Sequence, residues 1–245
     1  MNSLPEAGRA PFQPGTLWRQ LLTVTQRALQ SGVLQPIPTD FLYLDDGGIR
    51  FLVRLVRHLA RKPRPSSAES PQAAPRRNPF LPYDPELYVA DASSQHVCLL
   101  NKFNVVEHHL LIVTRTFEEQ ETLLTRQDFE SLFRCLAEYE GLGFYNSGMV
   151  AGASQPHKHL QLVPLPLDPA GPALPIAPAI DSAEVTADVR SLDALPFPHA
   201  IVALEAGAGA EPKAAATQAI DRYPRLLSAI RSEERRVGKE CTIQC

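Results

Sequence analysis

The chain has 245 residues, 24 of them Lys or Arg and 27 Asp or Glu, for a formal net charge of −3 and a hydrophobic share of 44%. That length supports a sizeable core in one large domain or two small ones. The charge excludes a broad electrostatic nucleic-acid binder, and no apolar run approaches the ~20 residues of a membrane span. The first residues lack the basic-then-apolar order of a signal peptide. Cysteines at 98, 135, 241 and 245 form no Cys-x-x-Cys pair. Cys98 and Cys135 fall in apolar-patterned segments and read as reduced core residues, which points to the cytoplasm.

Residues 1–35 read as an N-terminal helical arm. Thr16 is placed to cap a helix through Leu17, Leu21, Leu22, Val24, Ala28 and Leu29, with Gly32 as its stop. Pro36 and Pro38 break the pattern, and a main domain over 36–230 follows. Ile49 to Val56 is β-branched and apolar enough for a strand. Residues 57–77 are basic and rich in Pro, Ser and Ala, a flexible loop by composition. They are either a solvated charge run or the carrier of Lys62 to a ligand phosphate. Val97–Asn101 is a buried-type strand, and Asn101 and Lys102 at its end are candidate ribose or phosphate contacts. His109–Thr114 is nearly all apolar, which suits a central strand. His108 and His109 are adjacent, so at most one shares a site with any single strand face.

Thr125 to Asp128 has the spacing of a capping box, and a helix with apolar positions at Phe129, Leu132, Phe133, Leu136 and Ala137 follows, one face toward the sheet. Gly143–Gly148 leads by strand and glycine-rich loop into His157–Val163. There the alternation is of period two: His157, His159, Gln161 and Val163 on one face, Lys158, Leu160 and Leu162 on the other. A hairpin between these two strands sets Asn146 beside the histidine row. The chain is Pro-rich over 164–180. A strand at His199–Leu204 and a helix over 215–230 complete the domain. The pattern changes at Arg231, so 231–245 reads as a non-native tail.

The row of imidazoles after a loop of small residues, Gly152, Ala153, Ser154 and Gln155, suits phosphoryl transfer. An imidazole can attack phosphorus and later leave it, giving a covalent nucleotidyl-enzyme. One ring nitrogen must face the phosphorus, so the other must be tied to an acceptor. Charge developing on the phosphoryl group needs N–H donors, which residues 152–155 could supply. His159, in mid-strand, is the candidate nucleophile. Gln161 on the same face can hold the phosphoryl oxygens, and as a neutral amide it cannot protonate a leaving group. His157 is expected to orient the site. A solvated strand face, or half of a metal site, would also put two histidines at this spacing.

His157-Lys-His159-Leu-Gln161, with Asn101-Lys-Phe-Asn104, Phe144-Tyr-Asn-Ser-Gly148 and Gly152-Ala-Ser-Gln155, resembles the ATP adenylyltransferase (diadenosine tetraphosphate phosphorylase) family, the transferase branch of the histidine-triad superfamily. The likeness covers about residues 78–167. It implies an α+β, HIT-like fold, an antiparallel sheet with flanking helices. It implies phosphorolysis of diadenosine tetraphosphate to ATP and ADP, and the reverse, through an adenylyl group on His159 that Gln161 steadies. Lys62, Asn101, Lys102, Asn146, Gly152, Ala153, Ser154, Gln155 and Gln161 would bind the substrate. Its partners would be small nucleotides and phosphate, without nucleic acid or membrane. No tightly held cofactor is implied, although a divalent cation could escort the polyphosphate. The family carries a further strand-rich segment past residue 230, with a methionine and a lysine for the substrate site, and this chain is expected to lack it. Hexose-1-phosphate uridylyltransferases share His-x-His-x-Gln but would bring structural metal ligands. A non-catalytic dinucleotide-binding fragment is the alternative from another class.

Overall fold

The computed structural model describes residues 10–56, 78–168, 170–183, 186–195, 197–205 and 211–241, with the backbone alone over 232–241. Lys62 and the whole of the basic stretch 57–77 lie outside the described residues. Its elements run α1 (Leu17–Gln30), β1 (Thr39–Asp46), β2 (Ile49–Val56), β3 (Tyr88–Asp91), β4 (His96–Leu100), β5 (Leu110–Thr114), α2 (Arg126–Leu136), β6 (Gly141–Phe144), β7 (His159–Pro164), α3 (Ala177–Asp181) and α4 (Pro212–Cys241). The described chain divides into two compact units.

The first unit holds α1 and a five-stranded antiparallel sheet in the order β3-β4-β5-β7-β6. The apolar run of β5 takes the central place, as expected, and β4, β5 and β7 are buried along nearly their whole length. Register sorts the residues by face. Val97 pairs with Val113 and Leu99 with Leu111; Val113 in turn pairs with His159 and Leu111 with Gln161. Side chains of paired residues share a face. Phe80, Val97, Leu99, Leu111 and Val113 therefore form an apolar cluster on the side that carries the histidine row. Cys98, Leu100, Leu110, Ile112, Leu160 and Leu162 fill the opposite side and are almost fully buried.

α1 buries Leu17, Leu21, Val24, Thr25 and Ala28, one stripe of the helix, and contacts β3. Its start differs from expectation: the Thr16 hydroxyl donates to the Gln13 carbonyl and does not cap. The Glu138 carboxylate accepts from the Gly15 and Leu17 N–H groups instead, at 2.8 and 3.0 Å. A carboxylate there also complements the positive end of the helix dipole, a solution that requires a residue 121 positions away. Gly32 (φ +75°) ends the helix as predicted.

The second unit contains α2, α3, α4 and the connection after Pro164. The capping box forms: Thr125 Oγ1 accepts from Asp128 N, and Asp128 Oδ2 accepts from Thr125 N at 2.7 Å. α2 packs against α4, with the Phe129 and Tyr223 rings meeting edge-on at 5.6 Å. His199–Leu204 is not a strand. A single bridge joins Arg190 to Ile201, and His199 Nε2 instead accepts from Leu192 N at 2.7 Å. With no second described strand beside it, the β-branched run has no ladder to join. α4 begins near the expected place and continues past the composition change at Arg231 to Cys241. β1 and β2 form a separate two-stranded sheet turning at Gly47 and Gly48, both with positive φ. β1 and β3 carry no strong sequence signal.

Candidate active site

β7 opens at His159, and a single bridge from His157 to Glu119 extends the pairing before it. His159 is 4% exposed. Its Nδ1–H donates to the His157 carbonyl at 2.8 Å, two residues back on the same strand. That bond settles the tautomer: the hydrogen sits on Nδ1 and the lone pair on Nε2. Nε2 has no hydrogen-bond partner among the described residues and is not one of the sealed, unpaired polar atoms. Burial lowers the His159 pKa below the usual histidine range; the bond to His157 opposes this in part, and the neighbouring His157 ring adds slightly to the lowering. The ring is therefore neutral at pH 7, with a lone pair available.

His157 is fully buried and does a different job. Its Nε2–H donates to the Thr114 carbonyl at 2.8 Å, and its Nδ1 accepts from Asn78 Nδ2 at 2.9 Å. The Asn78 amide is oriented by its own Oδ1, which accepts from Phe80 N at 2.9 Å. Phe80 lies against both rings, 5.6 Å from His157 and 5.4 Å from His159, and Phe117 meets His157 from another side at 5.4 Å. His157 thus ties β7 to β5 and to the segment around Asn78, and its own carbonyl orients the nucleophile. Burial lowers its pKa too, against the raising effect of backbone bonds at Thr114 and Thr116.

Gln120 had no sequence signal, because it sits in the run Glu118-Glu-Gln-Glu121, which reads as solvated surface. In the fold it is buried to 2% exposure. Its Oε1 accepts from His159 N at 2.8 Å, and its Nε2 donates to the Asn146 carbonyl at 2.7 Å and the His159 carbonyl at 3.2 Å. One carboxamide therefore sets the distance between the start of β7 and the loop after β6. Asn146, as expected, lies beside the histidine row. Its side-chain amide has no partner among the described residues and faces the Gly152 backbone.

The loop 148–155 supplies fewer donors than the sequence suggested. Gly152 N donates to the Met149 carbonyl and Ala153 N to the Gly148 carbonyl, both at 3.0 Å, so two of the four N–H groups are used by the turn itself. The N–H groups of Ser154 and Gln155 have no internal partner among the described residues. Gly148 (φ +85°) leaves only 2.7 Å between a would-be Cβ and Glu121 Cγ, so glycine is required there. On the reverse face of β7, Lys158 is fully buried and bonds Glu118 Oε2 at 3.2 Å and the Leu123 carbonyl at 3.1 Å.

Of the pair at the strand entry, His109 is the one that joins the site. His108 (φ +56°) turns toward α1, bonding Thr25 at 3.2 Å with its ring against Trp18. His109 neighbours Gln161 and His159, and burial lowers its pKa to about 4. Asn101 reaches the site through it, with Nδ2 3.2 Å from His109 Nδ1. Lys102 rests over the Phe103 ring, and no interaction links it to the histidine row among the described residues. Among the described residues no group of three His, Cys, Asp or Glu could hold a metal ion.

Known proteins resemble this chain in sequence and in fold. The structure matches that of yeast Ap4A phosphorylase Apa2 in complex with Ap4A, with a TM-score of 0.71 over 89% of this chain and 75% of that one, at 23% identity, a likeness of fold. A second structure of Apa2 is 28% identical, with a TM-score of 0.53 over 63% of this chain and 49% of that one. In sequence, diadenosine 5',5'''-P1,P4-tetraphosphate phosphorylase 2 of Saccharomyces cerevisiae is 34% identical over 131 residues, which are 48% of this chain and 39% of that protein. Protein APA1 of the same organism is 30% identical over 151 residues, 57% of this chain and 46% of that protein. The matched segments thus span less than half the length of these two relatives. Residues 7–182 match the family described as Ap4A phosphorylase N-terminal domain, and with the antiparallel sheet and the oriented His159 in place the chain belongs to that family.

Proposed function

We propose that the chain carries the nucleotidyl-transfer site of a diadenosine tetraphosphate phosphorylase. His159 Nε2 attacks an α-phosphorus of the dinucleotide; a phosphorus–nitrogen bond forms, and the bond to the bridging oxygen breaks, releasing ATP. An oxygen of inorganic phosphate then attacks the same phosphorus. The phosphorus–nitrogen bond breaks, ADP leaves, and the imidazole returns to its starting state. The observation that carries this reading is the bond from His159 Nδ1–H to the His157 carbonyl, which leaves the opposite nitrogen with its lone pair.

Gln161 steadies the adenylyl group as a neutral donor. Asn101, Lys102, Asn146, Gly152, Ala153, Ser154 and Gln155, with Lys62, contact phosphates and ribose in this proposal, and the open amide of Asn146 and the free N–H groups at 154 and 155 support it. ATP, ADP and phosphate are the other ligands in this proposal. Two buried cysteines without a disulfide, Cys98 and Cys135, support a reducing, cytoplasmic setting. Incubating the purified chain with diadenosine tetraphosphate labelled in its α-phosphates tests the proposal. An acid-labile label on the protein, absent from His159→Ala, is expected. A chain that binds the nucleotide and never becomes labelled is a binding module, and a label that survives His159→Ala places the nucleophile elsewhere.

A further inference from the structure

We propose that Asn101, His109 and Gln161 form a relay in which His109 Nε2–H holds the oxygen of the Gln161 carboxamide, so that its NH2 group turns toward the phosphoryl group on His159. The proposal rests on the nucleotidyl-transfer reading for its purpose, but its geometry is independent of it.

The relay begins at Asn101. Its Oδ1 accepts from Phe103 N at 3.3 Å, so the side chain must present its NH2 group on the other side. That group meets His109 Nδ1 at 3.2 Å, and a donor there requires Nδ1 to be the acceptor. In a neutral imidazole the hydrogen then belongs on Nε2. His109 is held neutral because burial disfavours its charged form, lowering its pKa to about 4. Two features thus converge on one outcome: a fixed, uncharged N–H donor.

The place of that donor gives it a use. His109 Nε2 is sealed from solvent and has no well-formed hydrogen bond in this structure. Gln161 stands next to the ring: Leu111 pairs with Gln161, so His109, two residues before Leu111 and on the same face, is its diagonal neighbour, without an aligned bond between them. Phe144 closes the group: it pairs with Gln161 across β6 and β7, and its ring stands 6.0 Å from that of His109. A sealed, unpaired donor is costly and takes an acceptor when a small side-chain rotation offers one. Gln161 Oε1 is that acceptor. An amide carries its oxygen and NH2 on opposite sides, so fixing one aims the other. An unaimed Gln161 is free to present its oxygen to the anion, which repels rather than steadies it. His109 is therefore a positioning residue; it does not touch the reacting atoms.

Two measurements test the relay. Long-range proton–nitrogen correlation spectra of the free chain report ring tautomers without any nucleotide. His109 is expected as the neutral Nε2–H form from about pH 5 to 8. A hydrogen on Nδ1, or a cationic ring in that range, overturns the proposal. The second measurement compares labelling by diadenosine tetraphosphate. His109→Phe keeps the ring and removes the donor; it should slow adenylylation about tenfold with KM changed less than about twofold, the signature of an interaction made in the transition state. His109→Gln restores an N–H donor and should recover most of the rate. Equal rates for wild type and His109→Phe, or equal losses in both variants, overturn the relay. A wild-type chain that takes no label sinks the nucleotidyl-transfer reading instead, and the tautomer spectrum then decides the relay alone.

Discussion

Gln120 offers the sharpest test of how the site is held together. Gln120→Leu keeps nearly the same volume, so the cavity term is small. It removes one acceptor and one NH2 group that serve three bonds, to His159 N, the His159 carbonyl and the Asn146 carbonyl. Two of the three backbone groups belong to His159, where β7 begins, the third to the loop after β6, and the Gln120 side chain itself is buried. Each unpaired buried group costs about 1–3 kcal/mol, with relaxation lowering the sum. The expected loss is about 3 kcal/mol, read from urea unfolding as a lower midpoint at unchanged slope. Because the same side chain spaces His159 from Asn146, the labelling rate at His159 should also fall, by roughly a hundredfold if the imidazole moves by about 1 Å. A variant within about 0.5 kcal/mol of wild type, labelling at an undiminished rate, would refute the claim that this amide sets the geometry.

Gln161→His introduces a group that can exchange protons with water and leaving groups near pH 7; the ratio of adenosine monophosphate to ADP formed from the labelled enzyme should rise, and an unchanged ratio removes the role given to the amide. The lowered pKa of His109 links stability to pH. The unfolded ring binds a proton below its ordinary 6.5, and the folded ring only near 4. Stability therefore falls as pH drops from about 6.5 to 4, by roughly 3 kcal/mol at most, and His109→Phe should flatten that limb in denaturation curves across the range. His159 is also shifted downward, so the acid limb of its labelling rate should lie below the usual histidine range; a limb above 6.5 contradicts the burial argument. Gly148→Ala meets both a positive φ and the Glu121 side chain at 2.7 Å, so thermal unfolding should show a loss of more than about 1 kcal/mol.

The sequence by itself determined the elements whose physics is local. Period-two alternation placed His159 and Gln161 on one face of β7, the all-apolar run at 110–114 marked the central strand, and the capping box at Thr125 set the start of α2. These follow from backbone geometry and short-range hydrogen bonds, which any reading of neighbouring residues contains. Tertiary structure decided the rest, because it depends on partners far apart in the chain. Only folding brings Glu138 to the start of α1, Gln120 under the first residue of β7, Asn78 onto His157, and Asn101 through His109 to Gln161. A buried amide and a solvated one look alike in sequence; what separates them is which backbone groups the fold leaves unpaired around it.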